Sequence, residues 1–232
     1  MDGSLDPVRS EVRQSGSPTE NAGTRHVELK KHNRYDYSPI TERADYDWPD
    51  GKRLAVYFGL NIEHFSFGEG LGHTPTNPGT QPDVRNYSWR DYGLRVGIWV
   101  FDLFDSLGLP MCHLMNTSIY DYAPQIPAKI RERGDEFVGH GITNSEEQGA
   151  YSEADEAALI ADATRAFRDN EGAGPGGWMG PWISESAFTP DLLAENGYRY
   201  IMDWSADDQP FWMSTRAGKL LSIPYHIEIN DS

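Results

Sequence analysis

The sequence predicts an α/β fold built around a parallel sheet. Short apolar runs alternate with amphipathic segments along most of the chain, and turns rich in Pro and Gly separate them. The apolar runs are nearly continuous, as in strands that are buried on both faces. This alternation indicates strand–helix–strand units with right-handed crossovers. In such folds the functional site lies at the carboxyl ends of the strands.

The beginning of the chain is predicted to lie outside this fold. Residues 1–33 are mostly polar and are expected to form a disordered tail, because few apolar side chains are available to offset the ordering entropy. Residues 34–50 place aromatic side chains between Pro, Asp and Gly. This pattern predicts an extended arm that packs on the domain or on a neighbouring subunit. The domain itself is expected over residues 51–232.

The regular elements of the domain follow from the pattern of apolar residues. Six strands are predicted, over residues 53–60, 109–115, 136–140, 177–180, 198–204 and 219–224. Four helices are predicted, over residues 92–107, 125–133, 152–170 and 189–195. Ser152 and Asp155 form a capping box at the start of the third helix, and Gly108 and Gly134 stand where the first two helices end. The Gly- and Pro-rich segment 66–86 is predicted to be a long loop, either functional or mobile.

The composition excludes several classes of function. The 232 residues contain 20 Lys and Arg against 36 Asp and Glu, a formal net charge of −16. Such a chain is poorly suited to nucleic acid or to an anionic membrane, which attract basic proteins. One cysteine forms no internal disulfide, and neither a secretory signal nor a membrane span is recognisable. We therefore expect a cytoplasmic protein.

Polar and aromatic side chains accompany several predicted strands at their carboxyl ends. The candidates are Asn61, Glu63, His64, His140, Asn144, Trp178, Trp182, Asp203, Asp207 and Asp208. No phosphate-binding or dinucleotide-binding glycine motif is present, and neither is the G-x-S-x-G motif of many serine hydrolases. Glu63 and His140 are suited either to binding a divalent metal that activates water or to direct acid–base work on an amide. Taken singly, each residue type is more often structural.

The order of five short motifs resembles the polysaccharide-deacetylase (NodB-like) superfamily, most closely its branch of cofactor-independent allantoinases and cyclic imide hydrolases. The resemblance covers residues 35–231, and the motifs are GLNIEH at 59–64, GHGITNSE at 139–146, GWMGPW at 177–182, DWSADDQP at 203–210, and IPY at 223–225 with ND at 230–231. It implies a distorted, incomplete (β/α) barrel that hydrolyses a non-peptide C–N bond. It also implies further elements after residue 232, so the domain is expected to be truncated at its C-terminus.

The chain departs from the metal-dependent members of that superfamily. Those members use paired aspartates after the first strand and a His-(Ser/Thr)-x-x-His motif, where this chain has Asn61 with Glu63, and His140 with Asn144. The resemblance places Glu63 and His140 at metal-ligand positions, Asn144 at an altered one, and Asn61 at the position of the catalytic aspartate. A neutral amide oxygen is a poor ligand for zinc. We therefore expect no firmly bound cofactor, and at most a weakly held Zn²⁺ or other divalent metal.

The remaining candidates are assigned to the substrate. The resemblance implies that Trp182 walls the pocket, although Met179 replaces the arginine that orients the acid in the family motif. Asp207 and Asp208 stand near the fourth motif and are expected to bind or orient substrate. His64, Asn144 and Trp178 are likewise assigned to substrate binding.

Three hypotheses about function follow. The first is a hydrolase of a small linear or cyclic amide, of the ureide or imide type. The second is a metal-dependent carbohydrate N-deacetylase, and the third is a catalytically silent relative that binds a small molecule. The aromatic arm and the open edge of the sheet also predict self-association, because exposed strand edges are usually covered.

Overall fold

A seven-stranded sheet forms the centre of the fold. The computed structural model describes residues 30–71, 76–77 and 80–230. The chain divides into two units, Met1–His32 and Asn33–Ser232, and the sheet belongs to the second. Most of the predicted tail, residues 1–29, thus lies outside the described residues. The strands are β1 (Gly59–Ile62), β2 (Cys112–Met115), β3 (Glu136–Gly139), β4 (Gly177–Trp178), β5 (Tyr200–Ile201), β6 (Phe211–Thr215) and β7 (Gly218–Ser222).

The order of the strands in the sheet is β1-β2-β3-β4-β5-β7-β6. Every neighbouring pair is parallel except the antiparallel hairpin of β6 and β7. The sheet therefore confirms the predicted parallel α/β arrangement. It also brings the carboxyl ends of β1, β2 and β3 to one edge, with β2 between the other two.

In the described part of the chain, six α-helices cover the sheet or connect its strands. They are α1 (Val84–Arg95), α2 (Phe101–Leu107), α3 (Ile119–Tyr122), α4 (Gln125–Arg133), α5 (Glu153–Glu171) and α6 (Thr189–Glu195). The helices α4 and α6 have the predicted bounds. At the start of α5 the Ser152 hydroxyl accepts a hydrogen bond from the Asp155 amide and lies 2.6 Å from its carboxylate. The capping interaction between these two residues is therefore confirmed.

The predicted helix over residues 92–107 is wrong in its continuity and in its buried face. It is divided into the end of α1, a 3₁₀ turn at Gly97–Val100, and α2. The helical spacing predicts a buried face that includes Tyr92, Val96, Trp99, Leu103 and Leu107, but these five are exposed. The side chains buried in the core are Leu94, Ile98 and Phe101. The turn rotates the second segment relative to the first, so one regular 3.6-residue pattern does not describe both. The loop predicted to end at residue 86 ends earlier, because the Asp83 side chain caps α1.

The first predicted strand is displaced. Residues 53–58 are not part of β1, and Leu54, Val56, Tyr57 and Phe58 are exposed, Leu54 by 75%. The strand β1 is at the edge of the sheet and pairs with β2 alone, so this apolar run is not enclosed as a central strand would be. The predicted fifth strand is also shorter, at Tyr200–Ile201, and β6 was not predicted.

The arm over residues 34–50 packs on the domain of the same chain. Arg34 forms two 2.8 Å hydrogen bonds with the Asp191 carboxylate at the start of α6. The Tyr35 ring packs edge-on against Trp204 and Phe211. Farther along, the Arg43 guanidinium is paired with Asp207. Within the described ranges, no helix is long and apolar enough to cross a membrane.

Candidate active site

Glu63 and His140 face each other at the carboxyl edge of the sheet. Glu63 follows the last residue of β1 and His140 follows the last residue of β3. Because both strands are parallel to β2, their ends bring Glu63 Oε1 to 3.7 Å from His140 Nε2. The His140 ring is buried, whereas the Glu63 side chain is 26% exposed. The pair is therefore reached by solvent from the side of the glutamate.

The hydrogen bond of His140 with the backbone determines its tautomer. His140 Nδ1 lies 2.7 Å from the Met179 carbonyl oxygen, which only accepts hydrogen bonds. The imidazole must therefore carry a proton on Nδ1, and in the neutral ring Nε2 holds a lone pair directed toward Glu63. Among the described residues nothing donates a hydrogen bond to Nε2. The ring is positioned as a general base or as a metal ligand.

Asn116 joins the ends of the three strands, and the sequence reasoning did not select it. It follows the last residue of β2. Its amide nitrogen donates to the His140 carbonyl, and its amide oxygen accepts from the His64 backbone at 2.8 Å. The side chain is fully buried. Its position directly after a strand, like that of His140, is the signal that would have identified it.

Two further asparagines carry unpartnered polar atoms. Asn144 is fully buried, and within the described part of the chain neither Oδ1 nor Nδ2 has a hydrogen-bond partner. Its backbone is held on both sides, by the His64 carbonyl at 2.7 Å and by the Trp182 indole nitrogen at 2.8 Å. Asn61 donates to the Tyr225 hydroxyl at 3.2 Å, while its Oδ1 is buried without a partner in the described ranges. Buried amides of this kind are normally paired.

Arg90 is a second group that the sequence reasoning missed. Its guanidinium carbon lies 4.8 Å from the centre of the Phe65 ring and 5.3 Å from that of Trp182. Together with Glu63, it lines a small recess of about 10 Å³. Burial lowers the pKa of Arg90 from its usual value, and the charge of Glu63 opposes that change. No motif marks Arg90, because it comes from α1 and reaches the site only through the fold.

The backbone at Trp182 is strained. Trp182 and Ile183 have φ angles of 64° and 53°, a left-handed conformation that is rare for large side chains. Strain of this kind persists only where the surrounding contacts determine the conformation, and it is concentrated at functional sites. Here it places the indole against Arg90 while the indole N–H holds Asn144. Trp182 therefore contacts Arg90 and Phe65, two residues that line the recess.

His64 is fixed by neighbours on one side of the site. Its ring stacks on Tyr122 with 4.3 Å between centroids, and Nδ1 lies 2.9 Å from the Ser118 hydroxyl. Burial lowers the pKa of His64 below its usual value. His64 also lines the recess that contains Glu63 and Arg90.

Trp178 has different surroundings from those expected of a substrate-binding residue. It is fully buried, belongs to the core cluster that packs against α5 and α6, and contacts Tyr198 edge-on at 5.5 Å. The ring packs closely on Gly139, the residue before His140, and its indole nitrogen has no hydrogen-bond partner among the described residues. The assignment of Trp178 to substrate binding stays a prediction.

The aspartates after β5 are engaged with protein groups. Arg43 donates to both carboxylate oxygens of Asp207, at 2.7 and 2.6 Å, and these bonds lower the pKa of that carboxyl. Asp203 accepts from the Gly180 amide at 2.8 Å. Burial and then the neighbouring charge of Glu185 raise the pKa of Asp203, and burial raises that of Glu185 to about 7. Asp208 is exposed.

The donor set does not fit a resident catalytic zinc. Such sites have three protein ligands drawn from His, Cys, Asp and Glu. Glu63 and His140 are two, and the third position has the neutral amide of Asn144. No group of three or more such residues with metal-binding geometry occurs within residues 30–71, 76–77 and 80–230. The chemistry of these side chains therefore has to be derived from the residues themselves.

Solved structures show what this fold is similar to. A protein assigned as a polysaccharide deacetylase from Mycobacterium smegmatis has 25% identity and a TM-score of 0.66 over 80% of this chain and 63% of its own. Another from Pseudomonas aeruginosa PAO1 has 25% identity and a TM-score of 0.69 over 79% and 66%. Puue allantoinase has 24% identity and a TM-score of 0.69 over 85% and 71%.

These neighbours confirm the predicted NodB-like fold and the expected likeness to its deacetylase and allantoinase members. The sheet is open, as the incomplete barrel predicts. The chain spans 63% and 66% of the lengths of the two deacetylase structures. No protein-family model and no curated protein matches the sequence.

Proposed function

We propose that the chain hydrolyses small amides of the cyclic imide or ureide type, with Glu63 and His140 as the groups that activate water. The observation that carries this proposal is the buried His140 Nε2, which faces the Glu63 carboxylate at 3.7 Å. Both atoms accept hydrogen bonds when the imidazole is neutral. A water molecule bound to them has its O–H groups directed at two acceptors, which is the arrangement that general-base catalysis requires.

The reaction needs one proton to move from water to the Glu63–His140 pair and then from the pair to the leaving nitrogen. The pair accepts a proton from water while the water oxygen forms a bond with the amide carbon. The tetrahedral intermediate then collapses, the C–N bond breaks, and the proton is returned to the leaving nitrogen. A ring substrate opens to a carboxylate that still carries the released amide or urea group. The Arg90 cation lines the same recess as Glu63, so it stands where negative charge on the substrate oxygen is stabilised.

The side chains around Glu63 favour a planar substrate. The recess between them has a volume of about 10 Å³, room for about one water molecule. Phe65 and Trp182 supply apolar faces beside the charged groups. A planar ring with polar edges matches this combination better than a chain of sugar rings does.

A carbohydrate N-deacetylase is the second candidate. The names of the two structures at 25% identity favour it. The donor set of Glu63, His140 and Asn144 is the observation against it, because deacetylation of the metal-dependent kind relies on a complete set of ligands. The two candidates differ in whether activity needs added metal.

The test is turnover of an amide panel by the purified chain, with and without a chelator. The panel contains hydantoin, succinimide, allantoin and oligomers of N-acetylglucosamine. We expect ring opening that survives chelation and is lost in His140→Ala, while Glu132→Gln, which removes an exposed carboxylate on α4, leaves the rate unchanged. Release of acetate that depends on added zinc would support the second candidate, and absence of turnover with every amide would refute hydrolysis.

A further inference from the structure

Asn144 has an unusual combination of rigidity and unused hydrogen-bonding capacity. Its backbone N–H donates to the His64 carbonyl and its backbone carbonyl accepts from the Trp182 indole, so both main-chain groups are occupied. The side chain is 0% exposed, yet neither of its polar atoms is paired within the described residues. Leaving both ends of a buried amide unpaired is costly. A buried amide of this kind needs partners from outside the protein, which a ligand or an ordered water supplies.

The chemistry of the amide indicates which partner fits. A carboxamide offers one acceptor, Oδ1, and one donor, Nδ2–H, side by side on the same edge. If the oxygen and nitrogen of the amide are exchanged, the edge still offers one acceptor and one donor. The complementary edge has an N–H and a C=O that point in the same direction. Two parallel hydrogen bonds then join the side chain to the ligand.

Such an edge belongs to an amide in the cis form. Open-chain secondary amides are trans, by about 2.5 kcal/mol, and their N–H and C=O point to opposite sides. The acetamido group of an N-acetyl sugar is of this trans kind. In five- and six-membered lactams, imides and ring ureides, closure of the ring holds the amide cis. A single rigid carboxamide therefore distinguishes the two substrate classes considered for this protein.

We infer that Asn144 is a specificity-determining residue that binds the cis N–H/C=O edge of a ring amide. The inference rests on the proposed function and names its substrate class. It also gives a reason for an amide where the resemblance implies a histidine ligand. The Trp182 indole and the His64 carbonyl hold the Asn144 backbone, and His64 also lines the recess that contains Glu63. The same contacts thus connect ring recognition to the groups that activate water.

The experiment compares ligands and variants in one cycle. Binding of succinimide, N-methylsuccinimide and N-acetylglucosamine is measured by calorimetry with Glu63→Gln protein, so that no ligand is consumed. Succinimide should bind about tenfold to a hundredfold more tightly than its N-methyl derivative, which lacks the N–H, and N-acetylglucosamine should bind no better than the latter. In Asn144→Leu added to this protein, the ratio between succinimide and its N-methyl derivative should fall to about one.

A purely structural role of Asn144 would weaken both ligands together and leave the ratio unchanged, which would overturn the inference. Asn170→Leu, an exposed amide replacement on α5, is the matched control and should leave the ratio intact. If Asn144→Leu does not fold, the comparison of the three ligands with the parent protein still decides, because equal affinities exclude the recognition of a cis edge.

Turnover by the unmodified chain separates this inference from the proposed function. Ring amides that are hydrolysed without any penalty for N-methylation would contradict the role of Asn144 and leave the hydrolase intact. An N–H-dependent affinity without turnover would establish the site as a ring-amide binder and refute hydrolysis.

Discussion

The acidic side chains at the two ends of the sheet have opposite surroundings. After β1, the Glu63 carboxylate stands 3.7 Å from His140 and is partly exposed. After β5 and at α6, Asp207 is paired with Arg43 and Asp191 with Arg34. Both arginines come from the arm. The arm thus neutralises Asp191 and Asp207, whereas Glu63 at the other end of the sheet remains partly exposed.

The comparison shows that a polar residue after a strand is not sufficient to define a site. Unpartnered buried atoms occur at the ends of β1 and β3, on Asn61, His140 and Asn144. At the arm end, the guanidinium groups satisfy the carboxylates with paired hydrogen bonds. Paired acids stabilise the fold, whereas acceptors with unused capacity are candidates for ligand contacts. Asp203 Oδ2, after β5, is also without a partner among the described residues, apart from the neighbouring Glu185 carboxyl.

The largest effect is expected where the comparison is sharpest, at Glu63. Glu63→Gln removes the negative charge and the basicity of the carboxylate opposite His140 with almost no change in side-chain size. We expect the turnover of ring amides to fall by about 10³-fold, within the range of general-base contributions, and the midpoint of thermal unfolding to change little. Steady-state kinetics and a thermal melt measure the two quantities. An equal loss of stability would place Glu63 with the structural acids and break the comparison.

At Arg34 we expect a loss of stability without a loss of turnover. Its guanidinium and the Asp191 carboxylate are both about one-tenth exposed. In Arg34→Met the Asp191 carboxylate stays buried and keeps one hydrogen bond, which the Arg216 backbone amide donates. We expect unfolding free energy to fall by about 2–4 kcal/mol, measured by denaturant titration, with turnover unchanged under native conditions.

A control separates this buried pair from ordinary surface pairs. Arg165→Met breaks an exposed i,i+3 pair with Asp162 and should cost less than about 0.5 kcal/mol. Asp191→Asn in the Arg34→Met protein should recover part of the stability, because it removes the unpaired charge. If Arg34→Met were no more costly than Arg165→Met, the arm would not be an anchor.

The sequence predicted the elements that depend on local signals. The helices α4 and α6, the cap of α5 at Ser152 and the parallel alternation of strands all rest on neighbouring residues. The run over 53–58 has the composition of a buried strand, but its burial depends on what lies beside β1. That is a property of the whole fold and is not encoded in the run itself.

The candidate site likewise contains residues that local sequence signals predict and residues that they do not. Glu63, His140 and Asn144 were recognisable because they follow strands and lie in motifs. Arg90 approaches from α1, and Asp207 is paired with Arg43, 164 residues earlier in the chain. Contacts between segments so far apart leave no local pattern. Long-range pairing therefore decides which polar residues remain available, and the sequence alone does not reveal it.

The smallest effect concerns a third acidic group, Asp203 with Glu185, which differs from both ends of the sheet. Glu185 accepts from the Trp204 indole at 2.9 Å and Asp203 from the Gly180 amide, and the two carboxyls also hydrogen-bond with each other. Burial raises the pKa of Glu185 to about 7 and also raises that of Asp203, with Glu185 adding to the effect. The two titrate as a coupled pair.

The sign of the resulting pH dependence is opposite to that of the arm pairs. A carboxyl whose pKa is higher in the folded protein binds protons more tightly there, so stability is greatest below the unfolded value of 4.5 for Glu185 and decreases as the pH rises to about 7. We expect unfolding free energy to fall by about 1–3 kcal/mol across this window. The lowered pKa values of Asp191 and Asp207 act instead below pH 3.8, where stability is lost on acidification.

Denaturant titrations at several pH values between 4.5 and 7 test this difference. Glu185→Gln should flatten the dependence of the unfolding free energy on pH, since Asp203 is then the one ionisable carboxyl of the pair. Arg43→Gln should lower the unfolding free energy without changing its dependence on pH in that window. A slope that persists in Glu185→Gln would assign the pH dependence to other groups. Because the window lies above the titration of the arm acids, the slope reports the buried pair separately from the acids that the arm neutralises.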